Sequence, residues 1–345
     1  MTGIDALLRE PAVQAIGWAL LHFVWQGALV GVLAALALRA LRHSGADARY
    51  VVASIALSLM ATMPVVTAVQ AWRAASDRGV AASASMPRVS MDSRLPPGPP
   101  DTVLPGLTTV PVKSEWSGPW FQTGPVEQWL PLLVLAWMTG VAMLALRLAA
   151  GWVWVQRMKS HGAVPAGTRL QATLRRLTQR LHISRTVTLL RSPAVDVPTV
   201  IGWLKPTILL PMSVVTGLSP IQVEAILAHE LAHVRRHDYL VNLLQTLFET
   251  LLFYHPAVWW LSRRIRVERE HCCDDLAVNL CGDPVVYARA LADLEELRGI
   301  GAQLVMAASG GALFDRVRRL LAGPTTHAGR GPAWLPAAAA IALML

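Results

Sequence analysis

Residues 12–38 read AVQAIGWALLHFVWQGALVGVLAALAL, a run that contains no Asp, Glu, Lys or Arg. A helix of this length crosses about 30 Å of hydrocarbon, so the run predicts a transmembrane helix. It is not typical of a cleaved signal peptide, because the apolar run is too long and Asp5 and Glu10 offset the lone Arg9 before it. This segment indicates a mainly α-helical membrane protein.

Two further stretches predict membrane spans. Residues 50–72 read YVVASIALSLMATMPVVTAVQAW, and residues 129–155 form a third apolar run. Pro64 inside the second run is tolerated if neighbouring groups satisfy the carbonyl that it frees. The composition agrees, because only 15% of the residues are charged, against about 25% in an average soluble domain.

The three spans divide the chain into five parts. Residues 1–72 hold two transmembrane helices and a short loop, and residues 73–127 form a Pro- and Ser-rich loop that we expect to be flexible. The third transmembrane helix occupies residues 128–155, and a folded domain follows over residues 156–330. Residues 331–345 are apolar but too short to cross a bilayer, so we interpret them as the truncated start of a fourth transmembrane helix.

The basic residues predict the orientation. Arg39, Arg42 and Arg49 lie between the first two spans, and the segment after the third span is also basic, whereas the 73–127 loop is nearly neutral. The positive-inside rule therefore puts the first loop and the folded domain in the cytoplasm, and the N-terminus outside. The basic residues that flank the spans also account for the net charge of +9. Because the sequence has no nucleic-acid-binding motif, we expect no direct nucleic-acid partner.

The cytoplasmic region predicts an α+β domain. A basic amphipathic helix is expected over residues 168–182. Apolar and β-branched runs bounded by Pro and Gly predict three short strands, at residues 186–191, 198–202 and 206–211. Ser219 and Gln222 form a capping box that begins the next helix. We expect two more helices, an amphipathic one over residues 239–254 against the membrane face or a helix partner, and another over residues 257–280.

The helix that begins at Ser219 carries the sequence His229-Glu230-Leu231-Ala232-His233. Histidines four residues apart on a helix face the same side and can bind one zinc ion. The Glu of such a motif lies beside the metal, where it takes a proton from water. Zinc lowers the pKa of a bound water from 15.7 towards about 7. The motif therefore predicts a catalytic Zn2+ site with Glu230 as general base.

A catalytic zinc site needs a third protein ligand and an open position. Glu270 and Asp274 lie four residues apart on the predicted 257–280 helix. We predict that Glu270 binds the zinc and that Asp274 hydrogen-bonds a ligand imidazole from behind. If Glu270 is not the ligand, Glu268, Asp274 and Asp275 are the alternatives. The competing interpretation is that these acids pair with neighbouring arginines on a solvated helix face.

Other polar residues near the motif receive less specialised roles. We expect Cys272 and Cys273 to be small buried side chains rather than zinc ligands. Asp238 is predicted to cap the next helix. The residue that stabilises the transition-state oxyanion stays open between Tyr287, Arg289 and others. An edge of the strands near residues 198–211 either binds an extended substrate as an added strand or is an internal hairpin edge.

The combination of these segments resembles the BlaR/MecR-type antirepressor metallopeptidases. The segments that carry the resemblance are DVPTVIGWLKPTILLP (196–211), HELAHVRRHD (229–238), YHPAVWW (254–260) and RVEREHCCDDLAV (266–278). Three leading spans before a cytoplasmic protease are a further similarity. The Pro-rich loop carries no signal of the family.

The resemblance implies a gluzincin fold with residue roles that can be carried over. His229 and His233 match the family's zinc-binding histidines, Glu230 its catalytic glutamate, Glu270 its third ligand and Asp274 the acid that follows. In that family an outer domain after the fourth span detects β-lactam, and the protease cleaves itself and leads to removal of a cytoplasmic repressor. Residues 1–345 contain no segment that we interpret as such a sensor domain, so the signal that the protein answers stays open.

The resemblance thus predicts a zinc endopeptidase of the bacterial inner membrane that acts in transmembrane signalling. Its expected partners are a cytoplasmic repressor-like protein and the lipid bilayer, while homo-oligomerisation stays open. One alternative is a housekeeping membrane metallopeptidase of the prenyl-protein-protease or heat-shock kind. Another is a signal-transducing receptor with a non-catalytic zinc module, against which Glu230 argues, since a purely structural site needs no general base.

Overall fold

The computed structural model describes residues 10–84, 126, 128–160, 162–298, 311 and 313–322, and these are mostly helical with one small sheet. The predicted mainly α-helical class is confirmed. Most of the 73–127 loop and the whole predicted start of a fourth span lie outside the described residues.

Three long helices correspond to the predicted spans. They are α1 (Pro11–Ala40), α2 (Ala46–Ala84) and α3 (Leu130–Ser160), with a short 3-10 turn, Leu41–His43, between the first two. Each is long and apolar enough to cross a membrane. Pro64 lies inside α2 without ending it.

The chain divides into two compact units. The first contains residues 1–21 and 65–137, and in it Leu130 packs so closely on Gly17 that a Cβ on this glycine would lie 2.9 Å from the Leu130 Cβ. The second contains residues 22–64 and 138–345, which include every residue of the predicted site.

A four-stranded sheet begins the globular part of the second unit. Its strands are β1 (Val164–Pro165), β2 (Thr188–Ser192), β3 (Thr199–Ile201) and β4 (Thr207–Pro211), in the order β1-β2-β4-β3. The parallel pair β2–β4 forms the centre, and β3 lies antiparallel to β4 at one edge. The three predicted strands are confirmed, whereas the two-residue β1 was too short to predict. The amphipathic helix α4 (Thr168–Arg180) is also confirmed.

Five helices follow the sheet, and a final helical segment covers residues 313–321. The helices are α5 (Met212–Gly217), α6 (Pro220–Arg236), α7 (Asp238–Leu251), α8 (Pro256–Cys281) and α9 (Pro284–Glu296). The capping box of Ser219 and Gln222 is present at the start of α6. The prediction that Asp238 caps α7 is wrong, because His237 occupies the N-cap position in a left-handed conformation (φ 58°) and no side chain caps the helix.

Helix α6 runs through the centre of one apolar core. Its Ala225, Leu227, Ala228 and Leu231 are fully buried among residues of the sheet, α4 and α9. Burial of one large apolar side chain contributes about 1.5–3 kcal/mol, so the position of α6 is strongly fixed. A second core joins α1 and α2 to α7 and α8. The two helices that carry the predicted site are thus each held by a core of their own.

Candidate metal centre

Helices α6 and α8 face each other across a cleft of about 430 Å³. His229, Glu230 and His233 line it from α6, and Glu270 lines it from α8. Because the other side of α6 is buried in the core, the two histidines can only present their imidazoles on the cleft side. The structure thus brings together the residues that the sequence predicted as ligands and base.

The three predicted ligands converge. The Nε2 atom of His229 lies 3.5 Å from Oε2 of Glu270, and the Nε2 atom of His233 lies 3.9 Å from Oε1 of the same carboxylate. The ligand atoms of the three residues all lie within 4.8 Å of one another. Zinc–ligand bonds of 2.0–2.2 Å in tetrahedral geometry put ligand atoms roughly 3.3 Å apart. The donor set therefore fits a zinc ion with little adjustment.

The far side of the His229 ring is held by a hydrogen-bond relay. The Tyr287 hydroxyl donates to Asp274 Oδ1 over 2.6 Å and lies 2.9 Å from His229 Nδ1, so it accepts the proton of that nitrogen. Asp274 itself is fully buried, with Oδ1 3.4 Å from Nδ1. A proton on Nδ1 leaves the lone pair on Nε2, which is the nitrogen that faces Glu270.

The His233 ring is held in the same tautomer by a different acid. Its Nδ1 lies 2.7 Å from Asp238 Oδ2, so the carboxylate accepts the Nδ1 proton and Nε2 stays available to a metal. This role was not predicted from the sequence, because a position directly after a helix end suggested a cap. The left-handed His237 between α6 and α7 turns the chain so that Asp238 points back at His233.

The two adjacent cysteines are buried and free, as predicted. Cys273 Sγ lies 3.3 Å from His233 Nδ1, on the side of the ring that faces away from Glu270. Burial raises the pKa of the Cys273 thiol well above its usual value, so the side chain stays neutral. It packs behind His233 as a small, weakly polar group.

The electrostatics of the centre suit a cation. Burial alone would lower the pKa of His229, but hydrogen bonds to Asp274 and Glu270 outweigh it and raise this pKa to about 10. Without a metal, Nε2 therefore also carries a proton, which faces Glu270, and a bound metal ion would take the place of that proton. Burial likewise opposes ionisation of Glu270 and Asp274, yet His229 and Arg316 hold the pKa values of both acids well below the usual range, and His233 contributes for Glu270. Both carboxylates are therefore anionic at neutral pH.

Arg316, which no sequence pattern indicated, contacts two acids of the site, Asp274 and Glu270. Its guanidinium contacts Asp274 through Nε at 2.9 Å and Nη2 at 2.5 Å, and its Nη1 lies 3.4 Å from Glu270 Oε2. Beside it, Arg319 binds Asp275. The two arginines fix the 313–321 segment to α8. No local sequence signal marks Arg316, because its partners lie more than forty positions earlier in the chain.

The alternative ligands and oxyanion donors are engaged elsewhere or exposed. Glu268 is fully buried against Arg49, and Asp275 is bound by Arg319. The Tyr287 hydroxyl already donates to Asp274, while Arg289 is exposed and does not line the cleft. Of the acids in this part of α8, Glu270 is the one that reaches both histidines.

The edge strand β3 flanks the cleft. Thr199 and Val200 line it together with Pro198, Gly202 and Trp203 on either side. Strand β3 pairs with β4 on one side, and within the described residues no strand pairs with its other side. An extended segment could therefore add to β3 beside the metal centre.

Comparisons with known proteins give one family match and several related proteins. A family model described as BlaR1 peptidase M56 matches residues 6–320. The regulatory protein BlaR1 of Bacillus licheniformis is 28% identical over 138 residues, which are 40% of this chain and 23% of that protein. The methicillin resistance mecR1 protein of Staphylococcus aureus is 33% identical over 88 residues, 26% of this chain and 15% of that protein. In both cases the matched region spans less than a quarter of the relative's length.

Proposed function

Because the chain belongs to the BlaR1 peptidase M56 family, we propose that it is a zinc endopeptidase of the bacterial membrane that cleaves a cytoplasmic protein during transmembrane signalling. One observation carries the proposal. The Nε2 atoms of His229 and His233 and the carboxylate of Glu270 converge on one point, and behind each imidazole an oxygen accepts the Nδ1 proton, which leaves Nε2 to face a metal ion.

The residues of the cleft divide the work of peptide hydrolysis. His229, His233 and Glu270 would hold the ion, which when bound supplies Lewis-acid activation of water and of the substrate carbonyl. Glu230, next to His229 on the cleft wall, accepts the proton of the attacking water and passes it to the leaving amine. Asp274 positions His229 through Tyr287.

Strand β3 would bind the substrate in extended form. The free edge offers main-chain N–H and C=O groups, and pairing with these gives affinity that tolerates many sequences. Side chains that line the cleft then select residues near the cleaved bond. The predicted strand-addition site, rather than the internal hairpin edge, is the version that we propose.

The partner in this proposal is a cytoplasmic, repressor-like protein, and self-cleavage stays an open alternative. The names of the relatives, a regulatory protein and methicillin resistance proteins, support a signalling role. The basic residues around Arg42 and after the third span support a cytoplasmic site. Reporter fusions at residues 45 and 165 should then read cytoplasmic and one at residue 100 external; an external signal at residue 165 would contradict a cytoplasmic substrate.

Two substitutions test the peptidase assignment. In the full chain in nanodiscs, Glu230→Gln should keep its zinc while cleavage of a quenched fluorescent peptide library falls about 10²–10⁴-fold, because the base is removed and the ligands stay. Glu270→Ala should lose zinc and cleavage together. Glu224→Gln, on the exposed side of the same helix, is the matched control and should behave as the parent. Undiminished cleavage by Glu230→Gln would rule out its role as base.

A further inference from the structure

The turn between α7 and α8 lies deep among the membrane spans. His255 Nε2 lies 3.0 Å from the carbonyl oxygen of Val24, in the middle of α1. Since a helix rises about 1.5 Å per residue, Val24 lies about 24 Å from Ala40 at the end of that span. The hydrocarbon core of a bilayer is about 30 Å thick. The turn is therefore well inside the membrane.

Small residues in two spans make room for the turn. A Cβ on Gly27 would lie 2.8 Å from His255 Nε2, and one on Gly31 would lie 2.8 Å from the Ala257 Cβ. These glycines are four residues apart on one face of α1, the spacing that allows close helix contacts in membranes. The Phe253 ring packs directly on Gly140 of α3. The fit is specific, since larger residues at these positions would push the turn away.

The turn satisfies its own polar groups, as hydrocarbon requires. His255 Nδ1 accepts from the Ala257 N–H over 3.2 Å, so its Nε2 carries the proton and donates to Val24. The backbone N–H of His255 donates to Leu252, and the Trp259 indole donates to the Phe253 carbonyl over 2.7 Å. One histidine thus begins α8 and ties it to the first span.

The hairpin of α7 and α8 pairs polar groups between its two helices and exposes large apolar side chains on its outer face. Gln245 donates to the Ser262 carbonyl between the helices, and Arg266 donates to Glu249 over 2.6 Å. Four large apolar side chains of the outer face are exposed, Leu243 57%, Leu247 48%, Trp259 42% and Trp260 42%. The exposed polar residues Asn242 and Arg263 lie farther along the two helices from the turn than Leu247 and Trp260 do. A water-soluble helix pair exposes mainly polar side chains, whereas large apolar side chains on the outside, with the buried polar groups paired, suit lipid surroundings.

We propose that α7 and the first half of α8 form a re-entrant hairpin whose outer face contacts lipid acyl chains. Lipid is the occupant that fits, because Trp25 and Leu29 of α1, near the depth of the turn, also expose apolar side chains. Helix α8 then extends from the turn towards the membrane surface, and Glu270 of the metal centre lies in its second half. Glu270 lies about 21 Å along α8 from Pro256. The cleft accordingly opens close to the membrane surface, where a substrate must reach it.

Spin labels can locate the outer face. Leu247→Cys and Leu243→Cys are labelled separately in the full chain, in liposomes of phosphatidylethanolamine and phosphatidylglycerol. Oxygen, which concentrates in the bilayer, should relax both labels more than a water-soluble nickel complex does. Ile221→Cys on α6, also an exposed apolar position, is the matched control and should show the reverse ratio. The parent chain gives the background from its three cysteines.

Each other outcome overturns the proposal. Labels at residues 243 and 247 that respond mainly to nickel, as the control does, would put the hairpin in water. Labels shielded from both reagents would show that protein covers the face, either a second copy or a further apolar segment of this chain. Since the measurement does not depend on cleavage, a failed peptidase assignment would leave it intact.

Discussion

Asp274→Asn offers a sharp test of the metal centre, because it changes a charge without changing shape. The carboxylate is fully buried and has three partners: the Tyr287 hydroxyl, the Arg316 guanidinium and, at 3.4 Å, His229 Nδ1. An amide at this position keeps one acceptor oxygen but cannot balance the arginine. Arg316 would then turn towards Glu270, whose Oε2 is already 3.4 Å from Nη1.

Both consequences weaken zinc binding. The His229 imidazole becomes a poorer donor when the relay behind it loses its negative charge, and a closer Arg316 competes with the ion for Glu270. Loss of such a supporting group typically reduces metal affinity or activity about 10–100-fold. That range corresponds to about 1.4–2.8 kcal/mol of binding free energy.

Zinc affinity is measured by competition with a chromophoric chelator, on the full chain in nanodiscs. Peptide cleavage should fall in the Asp274→Asn protein at limiting zinc and recover when zinc is in excess. Asp275→Asn is the matched control, since its carboxylate pairs with Arg319 at the surface and does not line the cleft. Equal zinc affinities for the two variants would refute the reasoning.

Three further predictions concern the metal, the helix–span contacts and the spans. The purified chain should contain about one zinc per chain by mass spectrometry and His229→Ala almost none, and an unchanged content would reject the site. Arg49→Gln should lower the free energy of unfolding by up to about 3 kcal/mol, because it removes a charge partner of the buried Glu268. The measurement is the thermal midpoint, which should fall in the variant. Burial opposes ionisation of Glu268, but its hydrogen bonds and neighbouring arginines lower its pKa from 4.5 to about 2. The stability difference between variant and parent should therefore be complete above pH 4.5 and shrink as the pH falls towards 2. Gly140→Leu should destabilise the protein by about 1–3 kcal/mol through overpacking, whereas Gly151→Leu, in the same helix with open space around it, should not; equal midpoints would show that the turn does not seat on α3.

Local sequence patterns were sufficient to predict most of the helices and strands. Apolar runs of more than twenty residues predict spans because the bilayer thickness sets their length, and the structure has a helix at each of the three. The start of α6 was also predictable, because a capping box satisfies backbone groups within four residues. The shortest elements, β1 and α5, escaped prediction because so few residues carry no detectable period.

Contacts between residues that lie far apart in the sequence could not be predicted in the same way. The spacing of His229 and His233 is a property of one helix, so the sequence alone predicted a shared metal. Glu270 was harder to predict, because an acid among arginines is by itself more typical of a solvated helix face, and only the zinc motif earlier in the chain favoured it as a ligand. Only the crossing of α6 and α8 brings its carboxylate within 3.9 Å of both imidazoles.

The sequence by itself therefore determined the membrane class, the three spans and the motif at residues 229–233 that predicts zinc binding. Each of these depends on residues that lie close together in the chain. The tertiary structure decided which groups hold the histidines: Asp238 through a left-handed turn, and Asp274 through Tyr287 and Arg316. It also decided that α7 and α8 pack against α1 and α2. The physical reason is that hydrogen bonds and close packing join side chains by distance in space, whereas sequence patterns report only the faces of single helices and strands.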